Sequence, residues 1–93
     1  MALTETEIQQ RLSELPGWSY HRNAIEQVFE FKDFVAAMEF VNRVAKAAEQ
    51  TNHHPDIDIR YNKVKMSLTS HDAGGVTTRD LRMAKKIAEL VER

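Results

Sequence analysis

Near its middle the chain changes its hydrophobic period from that of a helix to that of a strand. Phe34, Ala37, Met38, Val41, Val44, Ala45 and Ala48 recur at helical spacing, the mark of a long amphipathic helix. Ile57, Ile59 and Tyr61 then alternate with Asp58 and Arg60, and Val64, Met66 and Leu68 alternate with Lys65, Ser67 and Thr69. A period of two makes strands that are apolar on one face only. A long helix feeding two such strands calls for a sheet with one covered face.

The flanking segments complete both layers. Thr4 and Glu7 form a capping-box pattern ahead of Ile8, Leu12 and Leu15, which predicts a short first helix. Pro16-Gly17 closes it. Trp18 and Tyr20 begin an extended stretch, Arg22-Asn23 suits a turn, and Ile25 to Phe31 is rich in β-favouring residues. Together they predict a hairpin. Asp33 is placed to cap the long helix, whose end is expected near Thr51-Asn52 because Pro55 follows. Asn62-Lys63 is the expected turn of the second hairpin. After His71 comes the turn cluster Asp-Ala-Gly-Gly. Thr77 with Asp80 then opens a last helix, carrying Leu81, Ala84, Ala88 and Val91 inward and closing on polar residues.

The order α-β-β-α-β-β-α predicts an α+β fold: a four-stranded antiparallel sheet with three helices packed on one face. The other face is solvated or covered by another subunit. Residues 1–93 read as one domain, with no internal repeat or linker. A domain of this size buries roughly 60–65% of its unfolded surface, which favours borrowing further burial from a partner subunit.

Composition narrows the function. With 13 basic and 14 acidic side chains the net charge is -1, so there is no field for holding a nucleic-acid backbone. The basic cluster Arg82, Lys85 and Lys86 reads as a solvated helix face. Without cysteine there are no disulfides, thiolate metal sites or cysteine nucleophiles, and a reducing compartment is a natural fit. No stretch approaches the roughly 20 apolar residues of a membrane span, and the acidic N-terminus lacks an apolar signal core. The expectation is a soluble, cytoplasmic protein.

Chemistry concentrates between Glu49 and Asp80. Three of the four histidines, His53, His54 and His71, fall there. Histidine delivers and accepts protons near neutral pH, and a reaction needing both an acid and a base can use two of them. Pro55 restricts His54 to extended conformations, and adjacent residues of an extended segment point to opposite sides, so His53 and His54 suit different tasks. Glu49 stands four residues before His53 and can meet its ring if the helix persists that far. Asp80 reads equally as a helix cap and as a carboxylate able to orient His71. His21 reads as structural and Tyr61 as sheet packing. A metal site is the rival reading, but adjacent ligands rarely converge on one ion and neither His-x-His nor His-x-x-x-His spacing occurs. No metal is expected.

The run Glu49-x-x-x-His53-His54-Pro55, then Tyr61, His71 and Asp80, resembles the signature of the pterin-4a-carbinolamine dehydratases. The flanks Gly17-Trp18, Phe31-Lys32-Asp33-Phe34 and Tyr61-Asn62-Lys63-Val64 are similar to that family too, over nearly the whole chain. The resemblance implies a hydro-lyase that needs no cofactor. 4a-Hydroxytetrahydropterin would lose water to give quinonoid dihydropterin, restoring the pterin used by aromatic amino acid hydroxylases. It implies His53 and His71 as the acid–base pair and His54 as a binding residue. Glu49 would orient an imidazole or bind a polar pterin edge, Pro55 and Asp80 would join the binding or orienting set, and Trp18 would wall the pocket. It implies a homodimer through the sheet edge or a homotetramer through helices. The alternatives are a non-catalytic dimerisation or transcriptional coactivator module of the same fold, and a dehydratase for another pterin-like compound.

Overall fold

The computed structural model describes residues 1–91. Its elements are α1 (Glu5–Leu12), β1 (Ser19–His21), β2 (Ala24–Glu30), α2 (Phe34–Thr51), β3 (Asp56–Arg60), β4 (Lys63–Leu68) and α3 (Thr78–Val91). A 3-10 turn, His71–Ala73, joins β4 to α3. The strands form one antiparallel sheet in the order β1-β2-β4-β3. This is the expected α+β fold, with the helices on one face. The polar closing residues 92–93 lie outside the described residues.

The caps form where the sequence places them. Thr4 Oγ1 accepts from the Glu7 N–H at 3.2 Å, and Glu7 Oε1 accepts from the Thr4 N–H at 2.9 Å. That backbone hydrogen bond holds the Glu7 carboxyl below the usual carboxylate range. α1 ends at Leu12, a turn earlier than Leu15, which still packs against the core. Gly17 then adopts φ 90° and lies so close to the Gln27 side chain that a Cβ would collide with it. Arg22 and Asn23 have φ of 51° and 64°, both left-handed, as a two-residue type I′ hairpin requires.

Asp33 Oδ1 caps α2 by accepting from the Ala36 N–H at 2.8 Å. The buried stripe is Ala37, Phe40, Val41, Val44, Ala47 and Ala48, whereas Phe34 and Ala45 are exposed. At the helical advance of about 100° per residue, the stripe is rotated by roughly 60° from the expected one. The Phe40 ring accounts for this. It sits between Phe29 and Phe31, with centroids 5.1 and 4.9 Å away, and turns the helix toward itself. In α3, Met83 and Ile87 join Leu81 and Ala84 in the core, while Ala88 and Val91 are half-buried.

The second hairpin turns one residue sooner than expected. Arg60 pairs with Lys63, so the turn is Tyr61-Asn62, and Tyr61 is exposed at φ 54°. Asn62 explains the shift. Its Nδ2 donates to the Phe31 carbonyl at 2.8 Å, and its own carbonyl accepts from the Phe31 N–H at 2.9 Å. Pinned beside the end of β2, Asn62 cannot pair within its own hairpin.

Ile25, Phe29, Val64, Met66 and Leu68 face the helices and are buried. The opposite face shows cross-strand ranks such as Val28–Lys65–Asp58 and Glu30–Lys63–Arg60, a surface suited to water. The helix layer stops short of the β3 edge, where Ile57 is half-buried and Ile59 exposed. Among the described residues no helix is long and apolar enough to cross a membrane.

Candidate active site

The exit from α2 aims the adjacent histidines. Asn52 follows the last turn in the left-handed conformation, φ 53° and ψ 40°, which an asparagine tolerates better than most residues. Its N–H and that of His53, the latter at 3.2 Å, both reach the Ala48 carbonyl. This reversal swings His53 off the face that carries Glu49. The ring turns inward instead, to α3.

There the His53 Nε2–H donates to Asp80 Oδ1 at 2.5 Å. Asp80 is fully buried and the His53 side chain is 13% exposed. The second oxygen, Oδ2, accepts from the Ser70 hydroxyl at 2.9 Å and from the Thr77 N–H at 2.8 Å. Because Ser70 spends its one proton on Asp80, the Thr77 hydroxyl must donate to Ser70, 2.9 Å away. Thr77 Oγ1 in turn accepts from the Arg79 N–H at 3.2 Å. Three donors converge on one buried carboxylate, which satisfies it without water. Asp80 is thus both the cap of α3 and the orienting carboxylate, but for His53. The expected partner, His71, is not hydrogen-bonded to it.

Glu49 is likewise paired with the other histidine than expected: His54 Nε2–H donates to Glu49 Oε2 at 2.5 Å, with the side chains 52% and 78% exposed. The two adjacent imidazoles therefore occupy different surroundings. One is half-buried against a fixed carboxylate and the other is on the surface. Pro55, half-buried, leads from His54 into β3.

His71 opens the 3-10 turn after β4 and is exposed. Ser70 and Gly75 close this turn by exchanging backbone hydrogen bonds at 3.0 and 3.2 Å. Outside it, Arg79 Nη2 donates to Asp72 Oδ1 at 2.7 Å. The Arg79 hydrogen bond holds the Asp72 carboxyl below the usual range and raises the guanidinium. His71 follows Ser70 directly, so one residue separates it from the carboxylate that holds His53.

The histidines open on separate cavities. His53 lines one of about 240 Å³ between α2 and α3, with Gln50, Thr51, Arg79, Arg82 and Met83 among its walls. His71 lines another of about 230 Å³ beside the first hairpin, with Arg22, Asn23 and Thr69. Trp18 lies elsewhere: only 6% exposed, it packs edge-on against Phe29 with centroids 6.0 Å apart. It belongs to the core and lines neither cavity. Among the described residues no three histidine or carboxylate side chains gather as metal ligands would. Sequence reasoning missed Ser70, Asp72 and Arg79. The only signal was position: Ser70 and Asp72 flank His71, and Arg79 precedes Asp80.

Residues 1–90 match the family model described as pterin 4 alpha carbinolamine dehydratase. The chain belongs to this family. A relative from Acidobacterium capsulatum, named "Putative pterin-4-alpha-carbinolamine dehydratase", is 56% identical over 96% of this chain and 97% of its own. One of the same name from Sulfurisphaera tokodaii is 52% identical over 96% of each chain. The crystal structure of a transcriptional coactivator/pterin dehydratase from Brucella melitensis superposes with a TM-score of 0.94 at 39% identity, covering 98% of this chain and 99% of that one. A pterin dehydratase-like protein described as a RuBisCO assembly factor in the alpha-carboxysome shares the fold, with a TM-score of 0.69 at 19% identity.

Proposed function

We propose that this member of the pterin-4a-carbinolamine dehydratase family is an active hydro-lyase that converts 4a-hydroxytetrahydropterin to quinonoid dihydropterin and water. The observation that carries the reading is the half-enclosed His53 ring fixed by the buried Asp80 carboxylate. Beyond the support this contact gives to the fold, an imidazole with one nitrogen fixed and the other free is suited to proton transfer. With Nε2–H committed to Asp80, Nδ1 is the nitrogen free to exchange a proton.

Hydroxide is a poor leaving group at neutral pH, so an imidazolium donates a proton to the 4a-hydroxyl as the C4a–O bond breaks. A neutral base takes the N5 proton, the N5 electrons form the C4a=N5 bond, and water leaves. His53 is the first proton carrier in this reading, and His71, which lines a separate cavity, is the second for a pterin that reaches both; His54, steadied by Glu49, is a binding residue. No step requires a metal or organic cofactor. The product would return, after reduction, to an aromatic amino acid hydroxylase in the cytoplasm. The uncovered edge of β3, with Ile59 exposed, supports self-association as a dimer or higher oligomer.

A coactivator role is the second reading, favoured by the likeness to the Brucella melitensis protein, which is described as both coactivator and dehydratase. An assay separates the two. Purified protein should speed the loss of ultraviolet absorbance of enzymatically generated carbinolamine well beyond the spontaneous rate. A decay identical to buffer would leave the coactivator reading in its place.

A further inference from the structure

The cavity beside His53 carries a charge that a neutral pterin does not use. Arg79, Arg82, Met83 and Lys86 stand at i, i+3, i+4 and i+7 of α3 and line that cavity together. Among the described residues no aspartate or glutamate lines it. Arg79 is already engaged by Asp72 at 2.7 Å. Among the described residues Arg82 reaches only the Thr78 hydroxyl, at 3.3 Å. Neither Arg82 nor Lys86 forms an ion pair among the described residues. The chain as a whole has a net charge of -1, so these two cations are a local arrangement rather than bulk basicity. The face read from sequence as merely solvated thus forms the wall of the cavity that holds the candidate proton carrier.

The pterin ring system is uncharged at neutral pH, and its dehydration builds no lasting negative charge for two cations to hold. A guanidinium fork beside a mobile ammonium is suited instead to an oxyanion with several acceptor oxygens. We infer that the physiological substrate carries an anionic group, phosphate or carboxylate, on the side chain at pterin C6, held by Arg82 and Lys86 while the ring faces His53. This rests on the dehydratase reading and specifies its substrate class.

The test compares kcat/KM for three carbinolamines that share one ring: a neutral dihydroxypropyl side chain, its phosphate ester, and a C6 carboxylate. Wild-type protein should favour at least one anionic substrate by about tenfold at low ionic strength, with the preference shrinking as salt rises. Whether phosphate or carboxylate gains more identifies the group. In the Arg82→Gln/Lys86→Gln double variant the ratio should fall close to one. Because the ratio is taken within each protein, any loss of folded material cancels. An Arg11→Gln/Lys85→Gln control alters the neighbouring α1–α3 cavity and should keep the preference. Equal kcat/KM for neutral and anionic substrates on an active wild type overturns this inference and leaves the dehydratase reading standing. A preference that survives in the Arg82/Lys86 variant, or vanishes in the Arg11/Lys85 control, overturns it as well. A wild type inactive on all three substrates overturns both.

Discussion

Asp80 accepts hydrogen bonds from His53, Ser70 and Thr77 in a site without exposure. Asp80→Ala would strand three polar groups, each left unsatisfied at about 1–3 kcal/mol when buried. The expected loss is on the order of 3 kcal/mol in urea unfolding, and Asp80→Asn, which keeps the shape and one acceptor, should lose less. An Asp80→Ala variant as stable as wild type would mean that the buried network is not formed. Asp72 is the contrasting case, an exposed carboxylate shifted by one partner. The Arg79 hydrogen bond lowers its folded pKa, so its contribution to stability is present above the unfolded value and is lost as pH falls through the lowered folded one. In a carboxyl NMR titration, Arg79→Gln should move the Asp72 midpoint upward to the ordinary range. An unmoved midpoint would show that the pair does not persist in solution.

At the scale of elements, the left-handed turn at Asn52 decides which histidine meets which carboxylate. Asn52→Ala should cost about 1 kcal/mol for the strained backbone, whereas Asn52→Gly, which takes the left-handed conformation freely, should cost nothing, both read as shifts in thermal unfolding. The elements themselves were legible because periodicity and caps are local: Thr4, Asp33 and the alternation of Val64, Met66 and Leu68 all act within one segment. The pairings were not. Glu49 and His53 satisfy the helical i, i+4 rule, yet one residue at positive φ between them sends His53 to α3 and leaves Glu49 to His54. The turn at Tyr61-Asn62 was obscured for the same reason: the hydrogen bonds that fix Asn62 come from Phe31, 31 residues away. The rotation of α2 depends on where Phe40 finds its aromatic neighbours on β2 and at Phe31. Tertiary contacts of this kind leave no periodic trace.

For the whole molecule, the helix layer leaves the β3 edge bare. Among the described residues no strand pairs with its outer side, and Ile59 lies exposed on the helix-facing side of the sheet. Such an edge invites pairing with a second copy. If the chain self-associates there, Ile59→Lys should lower the mass seen by sedimentation to that of a monomer; an unchanged mass would place any interface elsewhere. The proposed catalysis also belongs to this scale, since α2, the turn after β4 and the start of α3 must meet for His53 to be held. The most direct test of the account is stopped-flow decay of 4a-hydroxytetrahydropterin with wild-type and His53→Ala proteins, with His21→Ala as the control. Removing a general acid–base group should lower the catalysed rate by about 10²–10⁴-fold, while His21→Ala remains close to wild type. A His53→Ala protein as fast as wild type would contradict the assignment of proton transfer to the His53–Asp80 pair.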